Sequence, residues 1–161
     1  MLCKTPATEA FWAAFRDALG LSHDDYVVVR FGDSPALADE LLELVLAGAK
    51  RATACLLRDF NEAYPVPRVG DFVMVVDSRA TPRAIWRTTW VAIRPLIEVD
   101  EGFAWDEGEG DRSRASWLEN HRRCFERQAA REGFVMHDRI ETVFERFEIL
   151  WPPEAADRAI A

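Results

Sequence analysis

Lys50 and Thr53 stand three residues apart in Gly48-Ala49-Lys50-Arg51-Ala52-Thr53. A neutral lysine beside a hydroxyl activates it as a nucleophile. A helical turn over 50–53 would turn both side chains the same way. The lysine itself is unusual here. Of 20 basic residues all but two are arginine, and the other lysine is Lys4, near the N-terminus. Arginine keeps its proton, whereas a buried lysine can give it up, so a lone internal lysine is a candidate for a role arginine does not fill. The pattern alone is more simply read as a solvated Lys50 with Thr53 capping the next helix.

Two further groups carry possible chemistry. Residues 98–111 contain seven carboxylates and three glycines and read as an acidic loop. Crowded carboxylates repel, which raises the pKa of whichever is least solvated and suits general acid–base work or cation binding. Phe103 and Trp105 lie among these acids, and a solvated loop rarely needs two large aromatics. They anchor the loop or stack on a base. The spacing of a calcium-binding EF-hand is absent. Trp117 and His121, four residues apart, share a helical face, where a histidine is more often a hydrogen-bonded structural residue than a catalyst.

These residues need elements to hold them. Apolar positions at Ala10, Phe11, Ala14, Phe15 and Leu19 predict a helix over 7–19 with Gly20 as its stop. Tyr26 to Phe31 predicts a strand closed by Gly32-Asp33. Ser34 and Pro35 then open a helix to about residue 47, with Gly48 in the left-handed position beyond it. A short helix is expected at 54–62. Phe72 to Val76 and Ala84 to Leu96 read as strands, the second with Trp86, Thr88 and Trp90 at period two. Ser113 or Ser116 starts a helix bearing Trp117, Leu118, His121, Cys124 and Phe125. A last strand runs from about Arg139 to Leu150, and Pro152-Pro153 begins a polar tail expected to be mobile. Helices and strands do not alternate as βαβ units, so the class is α+β with an antiparallel or mixed sheet, and the strand spacing allows a small barrel.

Composition narrows the partners. The chain has 161 residues, a hydrophobic fraction of 49% and a net charge of -8. That suffices for one core and leaves no global basic footprint, which disfavours long duplex DNA and leaves room for a nucleoside or short single-stranded RNA. No apolar run suits a membrane span or a signal peptide, so a cytoplasmic protein is expected. Three widely spaced cysteines fit a reducing compartment, and the absence of CxxC and HExxH spacing with three histidines argues against zinc. No cofactor is implied. A homodimer is compatible with the sequence.

Taken in order, Phe31-Gly32-Asp33-Ser34-Pro35, Gly48 to Thr53, Val69-Gly70-Asp71, Thr88-Thr89, Phe103-Ala104 with Glu107 to Ser113, Trp117 with His121, and Glu145-Arg146-Phe147-Glu148 resemble the ASCH family, related to PUA domains, in its longer bacterial branch. The resemblance covers roughly residues 25–150. It implies a PUA-like small β-barrel of antiparallel or mixed strands flanked by helices, with 1–24 as a helical extension packed on the domain and 151–161 as a tail. It also implies binding of RNA or nucleotides. One small bacterial relative removes acetyl from N4-acetylcytidine with a Lys, a Thr and a Glu, which fall here on Lys50, Thr53 and Glu107, with Glu109 two residues away as the alternative acid. Other long members are reported to cleave RNA. Around this catalytic set, Arg51, Trp105, Glu109, Arg112, Trp117 and His121 are expected to contact substrate. In the catalytic expectation Lys50 takes the proton of Thr53, yet an adjacent carboxylate opposes that role by raising the lysine pKa. If Lys50 stays charged, it stabilises an oxyanion or phosphate instead. The rival expectation is a non-catalytic module in which Lys50 and Arg51 meet phosphate, Trp105 or Trp117 stacks on a base, and Glu107 reads an exocyclic amine.

Overall fold

Local capping chemistry sets where most helices start. In a computed structural model, which describes residues 1–157, helix α1 (Pro6–Leu19) is opened by a reciprocal Thr5–Thr8 capping box and closed by Gly20 in the left-handed conformation. The Ser34 side chain accepts from the Leu37 N–H at the start of α2 (Pro35–Leu46). Ser113, rather than Ser116, caps α4 (Arg114–Glu132).

Five strands form one mixed sheet: β1 (Val27–Val29), β2 (Ala52–Leu56), β3 (Phe72–Val76), β4 (Pro82–Pro95) and β5 (Glu141–Trp151). Their order is β1-β3-β4-β5-β2, with β1 parallel to β3 and every other pair antiparallel. The sheet curls into a half-barrel in which β1 and β2 are the edges. The class is therefore α+β, as the sequence indicates.

Three apolar clusters weld the helices to the sheet. Trp12 and Phe15 of α1 pack on Tyr26, Met74 and Ile85. Leu41, Leu42 and Val45 of α2 pack on Val73, Trp86 and Phe147. Trp117, Leu118 and Phe125 of α4 meet Phe103, Phe144 and Leu56.

Three expectations are corrected. The segment expected as a helix at 54–62, and the helical turn at 50–53, give way to β2 and a single 3-10 turn at Leu57–Asp59. The reason is tertiary. Ala52 to Leu56 pairs along its whole length with β5, from Ala52 opposite Arg146 to Leu56 opposite Thr142. Residues 98–111 are not merely a loop. They contain helix α3 (Glu101–Glu107), whose first turn is capped by Asp100 accepting from the Phe103 N–H at 2.7 Å, and which buries Phe103, Ala104 and Glu107. The tail is tied down at its start. Trp151 ends β5, and the Asp157 carboxylate accepts from the Arg51 guanidinium and the Ile149 N–H. Residues 158–161 of that tail lie outside the described residues.

Candidate active site

Lys50 emerges where α2, α3 and β2 meet. Its N–H donates to the Leu44 carbonyl, and the next residue, Arg51, donates to the carbonyl of Asp106 in α3. The turn after α3 presses on the same spot. Gly108 has φ +72°, and a Cβ there would stand 2.3 Å from the Ala49 carbonyl oxygen, so only glycine lets α3 close on Ala49-Lys50.

The lysine side chain is 1% exposed. Its Nζ donates to Glu109 Oε1 at 2.7 Å and lies 3.7 Å from Glu107 Oε1. Burial alone would lower the Lys50 pKa, but Glu107 and Glu109 outweigh it and hold the amine above its ordinary value. Lys50 is therefore an ammonium ion. Burial would likewise raise Glu109, yet Lys50 and His121 bring it below its ordinary value, so Glu109 carries the countercharge.

Glu107 obeys a different balance. Desolvation raises its pKa in spite of Lys50 and His121. Its Oε2 accepts from Trp117 Nε1 at 2.5 Å and sits 3.3 Å from His121 Nε2. The His121 ring stacks on Trp117 with centroids 3.7 Å apart, and its Nδ1 lies 3.0 Å from the Trp117 carbonyl. A carbonyl only accepts, so Nδ1 is assigned a hydrogen. Across 3.3 Å, His121 Nε2 and Glu107 Oε2 are placed to share one proton. Lys50, Glu109, Glu107 and His121 thus form an electroneutral set, the form in which buried ionisable groups are tolerated.

A cavity of about 740 Å³ lies beyond Phe31. It is lined by Thr53 and Cys55 of β2, Trp86 of β4, Glu145 of β5, and aromatic and polar groups from 60–73 and the N-terminal segment. Phe31 lines it and stands 5.4 Å from Lys50 Nζ by its ring centroid. Lys50, Glu107, Glu109, Trp117 and His121 are not among its described lining residues.

Thr53 and Glu145 are register partners across β2 and β5, and directly opposed residues of an antiparallel pair present their side chains to the same face. Glu145 is 7% exposed, and burial raises its pKa despite donors from Thr88 and Trp86. Both donors, Thr88 Oγ1 at 2.6 Å and Trp86 Nε1 at 3.1 Å, reach Oε1. Oε2 accepts from no described protein group and is not enclosed. It opens on the cavity that Glu145 lines.

The structure therefore gathers Lys50, Glu107, Glu109, Trp117 and His121 in one buried cluster and sets Thr53 apart in the cavity wall. Arg51 is engaged with Asp157 and the Val45 and Lys50 carbonyls. Trp105 is 58% exposed and lies under the Arg112 guanidinium at 4.1 Å, while Arg112 also donates to the Trp105 and Ala49 carbonyls. That pair faces outward and does not line the cavity. Among the described residues no three His, Cys, Asp or Glu side chains converge to hold a metal. Glu145, with its clamps Trp86 and Thr88, is the group that sequence reasoning did not place in a site. Its signal was a carboxylate in the alternating row Val143, Glu145, Phe147, Ile149 of the last strand, whose other members are apolar and buried.

The ASCH domain family model matches residues 27–151. The chain belongs to the ASCH domain family. Two solved structures resemble this ASCH protein along nearly their whole lengths. One is an ASCH domain from Lactobacillus crispatus JV V101, with 27% identity, TM-score 0.77, and coverage of 88% of this chain and 92% of that one. The other is protein EF3133 from Enterococcus faecalis V583, with 32% identity, TM-score 0.78, and coverage of 88% and 86%. No curated protein matches the chain. No helix among the described residues is long and apolar enough to cross a membrane.

Proposed function

We propose that this ASCH protein takes a nucleoside, free or within single-stranded RNA, into the cavity and hydrolyses an acyl amide on its base, with N4-acetylcytidine as the substrate type. The reading is carried by Thr53, whose hydroxyl lines a cavity of about 740 Å³ with no side-chain partner among the described residues. Small-molecule sites are usually cavities of this order, mostly apolar with a few convergent polar groups. Phe31, Trp86 and Tyr64 supply flat apolar surface for a base, and Thr53 and Glu145 supply the polar groups.

Thr53 is the nucleophile in this reading. A buried ammonium saturated by carboxylates takes no further proton, so Lys50 acts as a fixed cation. It neutralises Glu109 and braces the start of the strand that carries Thr53. The net charge of -8 supports a small or single-stranded ligand over a duplex. A cytoplasmic setting agrees with three unpaired cysteines.

The test is incubation with N4-acetylcytidine and, in parallel, with short single-stranded RNA, both resolved by chromatography. The wild type should yield cytidine and acetate, and Thr53→Ala should yield neither. Cytidine formed equally fast by Thr53→Ala contradicts the proposal. Strand scission without deacetylation replaces it with a ribonuclease, and binding without turnover replaces it with a recognition module.

A further inference from the structure

We propose that Glu145 is the general base of this site, taking the Thr53 proton across the β2–β5 strand pair. This deepens the reading above and rests on Thr53 being the nucleophile. Three features of the fold support it. Thr53 and Glu145 are directly opposed in the register, so both side chains lie on one face. Both line the same cavity. The two donors on Oε1 fix the carboxyl group and leave Oε2 open toward the ligand space. Lys50 offers no such acceptor, because it is protonated and already paired.

The surroundings favour a stronger base than an exposed glutamate. Burial raises the Glu145 pKa, with Asp71 adding to the effect. Cys55 on β2, whose thiol is pushed up to about 12 by burial, and Tyr64, raised by burial as well, also interact with Glu145, and Lys4, His23, Asp24, Asp25 and Arg30 line the same cavity. Cys55 and Tyr64 stay neutral at physiological pH, so neither adds a charge beside Glu145. A catalytic base is most effective when its pKa approaches the working pH.

The chemistry balances without a co-reactant other than water. The Thr53 hydroxyl gives its proton to Glu145 as the Oγ–acyl carbon bond forms. The acyl carbon–nitrogen bond then breaks, and Glu145 returns that proton to the departing amine. Water next attacks the acyl-threonine, giving a proton to Glu145, and the carboxylic acid leaves as the Thr53 hydroxyl is reprotonated.

The experiment uses p-nitrophenyl acetate as a plain acetyl donor, with acetylated Thr53 identified by peptide mass spectrometry and its rate followed against pH. The wild type should acetylate Thr53 with a rate that rises through an inflection above the ordinary glutamate range. Glu145→Gln keeps an oxygen acceptor for Trp86 and Thr88, so its urea midpoint should be retained while acetylation falls about 100-fold or more. Thr88→Val removes one bond that holds the carboxylate form, so the inflection should move to higher pH with the plateau rate kept, a shift that a merely structural role does not produce. Thr53 acetylated by Glu145→Gln at the wild-type rate, no acetylation of Thr53 in the wild type, or an inflection unmoved in Thr88→Val overturns the proposal. Glu145-dependent acetylation without turnover of N4-acetylcytidine removes the substrate class and keeps the base. Turnover of N4-acetylcytidine that survives Glu145→Gln does the reverse.

Discussion

Glu107 and Glu145 are both nearly enclosed carboxyl groups, and desolvation raises the pKa of each. Their neighbourhoods differ. Glu107 faces an ammonium, an indole N–H and an imidazole, and both of its oxygens are engaged. Glu145 has two donors on one oxygen and leaves the other open to a cavity. A saturated buried network holds elements together: here it joins α2, α3 and α4 at the start of β2. A half-satisfied carboxyl beside a large opening is instead available to a ligand. In this fold Phe31 is near both: its ring is 5.4 Å from Lys50 Nζ, and it lines the cavity that Glu145 also lines.

Five substitutions sharpen that contrast. Lys50→Met should have the largest effect on stability, about 3–5 kcal/mol, because removing one partner of a buried ion pair strands the other. Urea unfolding measures it, and a loss under about 1 kcal/mol, the range of an exposed pair, would erase the distinction between cluster and surface. Glu107→Gln should cost about 1–3 kcal/mol through mismatched hydrogen bonds to Trp117, His121 and Lys50, whereas Glu145→Gln should change the urea midpoint little. Equal losses in the two variants would dissolve the comparison.

The pH dependence carries a definite sign. Glu145 has a folded-state pKa above its unfolded value, so its contribution is complete below the ordinary glutamate pKa and is lost as pH rises through the raised value. Glutamine has no such proton, so Glu145→Gln should gain on the wild type as pH climbs above about 4.3. Glu109 has the opposite sign. Its pKa is depressed, so the wild type should lose its advantage over Glu109→Gln as pH falls through that lowered value. Thermal melts of each pair from pH 8 down to about pH 2 check both directions. The smallest effect is expected at Trp105→Ala. This exposed side chain should matter by under about 0.5 kcal/mol, and cytidine affinity should hold, as fluorescence titration would report.

Local signals in the chain carried far. Gly20, Ser34-Pro35 and Gly48 mark helix ends through chemistry that needs no distant partner, and β3 and β4 show as continuous runs. The placing of Lys50 near the acids of residues 98–111 came from the ASCH resemblance, which implies a cleft between the two segments, and not from any local pattern. What escaped depended on tertiary pairing. β2 is short and rich in small residues, and it is a strand because β5 lies beside it. The α3 helix is hidden among acids and glycines that read as loop until Asp100 is seen to cap it. Arg51 reads as a phosphate contact, but Asp157, in a tail that looks mobile, occupies it. Glu145 faces Thr53 only through a strand register that no local pattern encodes.

Titration of cytidine into isotope-labelled protein, followed by NMR shift changes, tests most directly whether ligand enters at the Thr53–Glu145 wall. The largest changes should fall on Thr53, Cys55, Trp86 and Glu145. Changes centred on Trp105 and Arg112, with the cavity residues unmoved, would contradict it.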